Sequence, residues 1–323
     1  VAKAGFVLTS YKHLILYTHM KTGTHRYQTD PRNQSILINI NGELFPRAEA
    51  KISVFDSGFI LGDGVWEGIR LHHGKLAFID QHIKRLYAGA KALDMDIGIT
   101  PQALVQRLMD TCNANDMFDG VHIRLMVTRG EKSTPYQDPR ATISAATIVI
   151  IAEHKTPVKI DNSEGVSLFT SHVRRGYPDV QDPKLNTHSK LNCIFACIQA
   201  TKALADEALM LDPHGFVATC NSTHFFIIRG EEVWTSTGDF CLDGITRRNV
   251  INLCKTNNIP VFEKNFSLAE VYSADEAFIT GTFAGLTAVK LVDGRLIEPD
   301  SSQPSLLLRL QTLYLELIEK SGE

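Results

Sequence analysis

The stretch DPKLNTHSKLN (182–192) holds two lysines six positions apart, either side of an Asn-Thr-His-Ser run. A lysine amine attacks a carbonyl only when it is uncharged, and a desolvated position favours the uncharged form. Either lysine is therefore a candidate for covalent attachment of a carbonyl cofactor. Two other segments could seat an anion, and a third, read alone, is merely a turn. Arg70 ends the run GVWEGIR, where a guanidinium needs an anionic partner. Gly244-Ile245-Thr246 opens the segment GITRRNVINL, whose apolar face is Val250, Leu253 and Cys254. Free amides at such a helix start suit a phosphate, although an ordinary hydroxyl cap explains Thr246 equally well. FITGTFAGLTAV (278–289) enters a Gly/Thr turn with the hydroxyls of Thr280 and Thr282 exposed.

Regular elements must hold these groups. ILINING (36–42) alternates and ends in Asn-Gly, a hairpin signal. Asp80 can cap a helix with an apolar face of Ile83, Leu86, Tyr87, Ala90 and Leu93, and Thr100-Pro101 starts another. GVHIRLMVT (120–128) and TIVIIAEH (147–154) read as strands, as do VSLFTSHV (166–173), ALMLD (208–212), FVATC (216–220) and FFIIRGEEVWTS (225–236), the last folding back at Arg-Gly. A helix is expected from about Ser189 to Ala205, and Ser267 to Glu270 has the capping-box pattern. Strands and helices interleave in both halves, so the class is mixed α/β. The polar stretch HKTPVKIDNSEG marks the division: an N-terminal domain over 1–154 with an extension over 1–35, a linker over 155–165 and a C-terminal domain over 166–323.

Composition narrows the partners. A chain of 323 residues with 44% hydrophobic and 21% charged residues suits a globular protein with a sizeable core. A net charge of −3 gives no reason to expect nucleic acid or an anionic membrane, which leaves small molecules. Six scattered cysteines without a CxxC pair read as reduced thiols, and the first twenty residues lack an uncharged signal-peptide core, so the cytoplasm is expected. His13, His19 and His25 have no carboxylate or cysteine at ligand spacing, and no metal is expected. The spacing Gly62-x-Gly64-x-x-x-Gly68 misses the dinucleotide fingerprint by one residue and reads alone as a tight turn.

Five segments in order resemble the class IV (fold type IV) pyridoxal-phosphate aminotransferases, the group that includes branched-chain and D-amino-acid transaminases: VFDSGFILGDGVWEGIR, FIDQHIKRLYAGAKAL, DEALMLDPHGFVATCNSTHFFIIR, LDGITRRNVI and ADEAFITGTFAGLTAV. The resemblance runs from about Ile36 to Ile297. It implies a two-domain α/β fold, pyridoxal 5'-phosphate between the domains, a homodimer, and transfer of an amino group between an amine or amino acid and an oxo acid. A lyase on the same fold, or a cofactor-binding protein with weak or no transaminase activity, is the alternative.

Residue by residue, the resemblance assigns Arg70, Ile245, Thr246 and Thr282 to the cofactor phosphate. It puts Thr219 where the family has a glutamate facing the pyridine nitrogen. A neutral hydroxyl can hydrogen-bond that nitrogen but cannot hold a positive charge on it. A gapless match puts Asn186, which cannot attach the cofactor, at the family's lysine position. If the preceding loop is longer by two residues, Lys184 takes that position at a strand exit, and it is the first choice for the catalytic lysine. Lys190 reaching across from the next helical turn is the second, and neither lysine attached is the third. Arg124, Arg129, Lys132, Tyr136 and Arg140 are candidates for a substrate carboxylate, and Trp66 and Phe59 for an apolar pocket.

Overall fold

The computed structural model describes residues 30–155, 165–298 and 304–321. His13, His19 and His25, most of the extension and most of the expected linker lie outside them. Six strands form a first sheet: β1 (Leu37–Ile40), β2 (Glu43–Pro46), β3 (Gly64–His72), β4 (Lys75–Leu76), β5 (Val121–Thr128) and β6 (Thr147–His154), in the order β2-β1-β6-β5-β3-β4. Asn41 and Gly42 both have positive φ, the geometry that a two-residue Asn-Gly hairpin requires. β3 and β5 pair antiparallel along their whole length, from Gly64 opposite Thr128 to Leu71 opposite Val121. One face packs on the Ile79–Ala92 and Pro101–Ala114 helices around Ile69, Leu86, Leu104, Leu108 and Ile123. Thr100 caps the second of these by accepting from the Ala103 amide. The first is capped at Phe78, two residues ahead of the sequence reading, so Asp80 lies in its first turn and not at its cap.

The second sheet comprises β7 (Val166–Thr170), β8 (Glu207–Leu211), β9 (Val217–Cys220), β10 (His224–Arg229), β11 (Glu232–Thr235), β12 (Val261–Glu263), β13 (Glu276–Gly281), β14 (Gly285–Val292) and β15 (Arg295–Leu296). Its central order is β12-β11-β10-β13-β14-β7-β8-β9, with β7 parallel to both β8 and β14. The Ile245–Thr256 and Leu306–Lys320 helices cover one face, over a core that includes Phe226 stacked on Phe278 at 4.8 Å. Such a ring pair contributes about 0.5–1.5 kcal/mol beyond its buried area. Glu276, at the start of β13, accepts from the Leu306 and Leu307 amides and the Ser305 hydroxyl. A carboxylate at a helix N-terminus is favoured by the helix dipole, and here it anchors the last helix to the sheet. Glu270 accepts from the Ser267 amide at 2.7 Å, as the capping-box pattern implies. Among the described residues no helix is long and apolar enough to cross a membrane.

Candidate active site

A cavity of about 330 Å³ opens between the two sheets. That volume is in the range of small-ligand sites. One end is made by the turn between β13 and β14 and by the start of the Ile245–Thr256 helix, so that Ile245, Thr246 and Thr282 all line it. The helix has Gly244 at its cap and no side-chain cap hydrogen bond, which leaves its first amides open. A Cβ at Gly244 would meet the His224 ring at 2.2 Å, so only glycine lets the helix start approach so closely. His224 Nε2–H donates to the Leu242 carbonyl, and burial pushes its pKa down to about 4, which keeps the ring neutral. Tyr314, on the last helix, donates to the Thr246 hydroxyl at 3.4 Å.

Arg70 lies behind this end on β3, nearly buried, with its guanidinium 5.8 Å from the centroid of the Phe283 ring that lines the cavity. Among the described residues its Nε has no hydrogen-bond partner, nor has the buried Thr280 hydroxyl. Unpaired buried donors are costly, and a multiply charged oxyanion supplies the acceptors that both lack. Burial also lowers the Arg70 pKa.

The middle of the cavity is cationic. Arg85, Arg124, Arg175 and Lys190 line it, and among the described residues no lining side chain is a carboxylate. Arg85 is balanced from behind by Glu67, which accepts two of its hydrogen bonds at 2.6 and 2.8 Å and a third from His82 at 2.7 Å. Burial alone would raise the pKa of Glu67; the hydrogen bonds from Arg85 and His82 outweigh it and hold the carboxyl below its ordinary range. Arg124 stacks 3.9 Å over the Trp66 ring. Arg175 donates to the Phe240 carbonyl and to the Asn192 side chain. Of the carboxylate candidates only Arg124 faces the cavity. Arg129 pairs with Asp63, Lys132 donates to the Asp138 carbonyl, Arg140 pairs with Asp138 in solvent, and Tyr136 is exposed. Trp66 lines the cavity, whereas Phe59 is 70% exposed.

The lysine segment is held by β3. Trp66 N donates to the Asn186 carbonyl, the Asn186 side chain donates to the Trp66 carbonyl at 2.6 Å, and His188 N donates to Gly64. Asn186 is thereby buried on the cavity wall. Lys184 sits in the turn before it, closed by the Leu185 amide on the Asp182 carbonyl. Its half-exposed side chain turns outward to within 3.8 Å of Asp239 and does not line the cavity. Lys190, at the cap of the Leu191–Lys202 helix, turns inward: Nζ donates to Asn186 Oδ1 at 3.2 Å and lies 5.4 Å from the Trp66 ring. Burial pushes its pKa down to about 8, and Arg175, Arg85 and Arg124 push the same way. The structure thus brings together Thr219, Ile245, Thr246, Thr282 and Lys190, with Arg70 behind them, and leaves Lys184 outside. Sequence reasoning missed Arg85 and Arg175, whose segments carry no distinctive spacing.

Thr219, at 5% exposure, lines the far wall. Its hydroxyl donates to the Thr223 carbonyl at 2.9 Å, so only its lone pairs remain for a ligand.

The fold that carries this cavity is shared with known proteins. The model of the class IV amino-transferase family matches residues 64–292. A branched-chain-amino-acid aminotransferase-like protein 2 of Arabidopsis thaliana is 39% identical over 292 residues, 90% of this chain; the chain spans only about half (52%) of that relative's length. A putative branched-chain-amino-acid aminotransferase of Methanocaldococcus jannaschii is 39% identical over 80% of this chain and 89% of its own length. The crystal structure of the branched-chain aminotransferase from the thermophilic archaeon Thermoproteus uzoniensis, with norvaline, superimposes with a TM-score of 0.80 at 28% identity, covering 90% of this chain and 96% of that one. The chain belongs to the class IV aminotransferases, and its fold is theirs.

Proposed function

We propose that this chain is a pyridoxal 5'-phosphate-dependent aminotransferase that moves an amino group between an amine or amino acid and an oxo acid, with Lys190 as its cofactor-holding lysine. The observation that carries the reading is the cavity: among the described residues it is lined by four cationic side chains and no carboxylate, it has an uncapped helix start at one end, and the amine inside it has a pKa of about 8. The family match favours transamination over the lyase reading.

The residues fit the cofactor. Arg70, the Ile245 and Thr246 amides and the hydroxyls of Thr246 and Thr282 would hold the phosphate, and Thr219 would face the ring. When bound, pyridoxal phosphate supplies an aldehyde carbon that condenses with amines and a ring that withdraws electrons from the carbon beside the nitrogen. Lys190 Nζ, largely unprotonated above pH 8, serves as nucleophile and as the base that takes and returns the substrate proton. Asn186 positions that amine through its carbonyl oxygen, with its own amide fixed on Trp66. Thr219, being neutral, would leave the ring a weaker electron sink than a carboxylate there would. Arg124, stacked on Trp66 and without an acidic partner at ion-pair distance among the described residues, would receive the substrate carboxylate.

We read the assembly as a homodimer. Leu191, Ile194, Phe195 and Ile198 expose an apolar face of the helix that follows Lys190, and such a patch is hidden by self-association. A cytoplasmic location accords with the cysteines, all six of which are free.

Borohydride reduction of the purified yellow protein followed by peptide mapping tests the reading. A pyridoxyl tag on Lys190 is expected. A tag on Lys184 overturns the lysine assignment, and a colourless protein that takes up no pyridoxal phosphate overturns the cofactor.

A further inference from the structure

A second cluster of chemistry-bearing side chains lies away from the cavity, where the β3–β4 turn of the first sheet meets the end of the Leu306–Lys320 helix. His72 and His73 stack with ring centroids 4.0 Å apart at 30°. Both nitrogens of His72 face carboxylates: Nδ1 is 3.0 Å from Asp119 Oδ1, and Nε2 is 2.6 Å from Glu319 Oε1. His73 repeats the pattern, with Nδ1 3.3 Å from Glu319 Oε2 and Nε2 4.0 Å from Asp119 Oδ2. The two rings therefore lie between one carboxylate on each side.

Neither simple protonation state suits this arrangement. A neutral imidazole has one N–H, so with both rings neutral each has a lone pair turned toward a carboxylate oxygen. Two imidazolium rings would satisfy the carboxylates but set like charges face to face at 4.0 Å. A divalent cation at the Glu319 side removes both conflicts. It takes the lone pairs of His72 Nε2 and His73 Nδ1 together with a Glu319 oxygen, while the opposite nitrogens keep their protons toward Asp119. With two carboxylates and a dipositive ion the site is electrically neutral.

We propose that His72, His73 and Glu319 bind a divalent transition metal of the zinc class, with Asp119 orienting His72 through its Nδ1–H. The three candidate ligand atoms lie within 4.8 Å of one another, the one such group among the described residues. Tetrahedral zinc at the usual bond lengths sets ligand atoms roughly 3.3 Å apart. The His73–Glu319 distance is already 3.3 Å, and the His72–Glu319 distance must open from 2.6 Å. Glu319 can allow this, because its side chain is 55% exposed on the last turn of its helix. Two imidazoles and one carboxylate leave a fourth position for water. The hydrogen bond from ligand to Asp119 is the support that metal-bound histidines characteristically have. The metal would clasp the strand that carries Arg70, two residues before His72, to the helix that carries Tyr314.

The test is zinc binding by the full chain after exhaustive chelation, measured by competition with a chromophoric chelator, with thermal melting in parallel. Wild type is expected to bind one more equivalent of zinc than the His72→Ala/His73→Ala variant, and zinc is expected to raise the melting temperature of wild type but not of the variant. Glu319→Gln should weaken that equivalent, and Asp119→Asn should weaken it by roughly 10- to 100-fold. Both single changes lie at exposed side chains and keep the fold testable should the double variant fail to fold. Equal zinc stoichiometry and equal affinity in wild type, Glu319→Gln and Asp119→Asn would overturn the proposal, as would melting temperatures that do not respond to zinc in wild type.

Discussion

The two ends of the cavity are built on different principles. The end proposed to hold the phosphate rests on a helix start and a strand-to-strand turn, with a guanidinium buried behind them, so most of its geometry belongs to the backbone and cannot easily move. The amine end depends on a single flexible side chain, and its chemistry requires only that a desolvated Nζ reach one point. Here Asn186 occupies the wall position hydrogen-bonded to Trp66, and Lys190, four residues on, brings its amine back to that residue's side chain. Backbone-built binding is tied to its place in the fold, whereas a side-chain amine can be supplied from a neighbouring turn.

Removing the amine should produce the largest effect. Lys190→Ala is expected to abolish the borohydride-fixed tag and to lower kcat by roughly 10²–10⁴-fold, as loss of a positioned acid–base group does. Pyridoxal phosphate should still bind noncovalently through the phosphate end. Retention of the covalent tag in that variant would show that the two ends are not divided as described.

Arg70→Ala strikes the opposite end and should invert the pattern, with covalent chemistry kept and cofactor retention lost. Charge-assisted hydrogen bonds contribute roughly 1.5–3 kcal/mol, which is about a 10- to 150-fold rise in the dissociation constant. Fluorescence titration of the apo-protein measures it, and an unchanged constant would mean the phosphate is held elsewhere.

The pH dependence separates the ends further. The Lys190 amine, with a folded pKa of about 8 against an ordinary value of 10.5, should capture pyridoxal phosphate at a rate that rises through about pH 8 and then levels. Between about 8 and 10.5 the unfolded chain binds the extra proton, so unfolding free energy should also rise with pH across that window. Stopped-flow absorbance gives the first trend and denaturant titration the second; a capture rate that keeps climbing toward pH 10.5 would mean the amine is not desolvated.

The same division explains what could be read from the chain alone. Strands, helix starts and the Gly/Thr turn are local patterns, so the segments that carry Arg70, Ile245, Thr246 and Thr282 could be recognised one by one, but each alone read as an ordinary turn or cap, and only their resemblance in order to the family pointed to a phosphate. The lysine could not be placed even then. Lys184 and Lys190 flank the same run, and the choice turns on a turn closed by Asp182 and on two backbone hydrogen bonds between residues 64–66 and residues 186–188, which lie more than a hundred positions apart. Arg85 and Arg175 were missed for the same reason: their roles appear only when two sheets face each other. Glu319 meets His72 across 247 positions, a pairing that no spacing rule contains.

Lys184→Ala is the smallest expected effect and the sharpest check on the comparison. The side chain is half in solvent, 3.8 Å from an Asp239 that is itself 65% exposed. An exposed pair of that kind contributes about 0–1 kcal/mol to stability, and much of that is screened by salt. The turn that holds residue 184 is made by the Asp182 side chain on the Lys184 amide and by Leu185 on the Asp182 carbonyl, and alanine preserves both. The variant should therefore keep its colour, its borohydride tag and its kcat within about twofold of wild type, since surface changes of this type fall within roughly ±0.5 kcal/mol. A colourless, untagged Lys184→Ala protein with an unchanged melting temperature would mean that the 182–185 turn reverses when the cofactor binds, and that the amine is supplied from the strand exit after all.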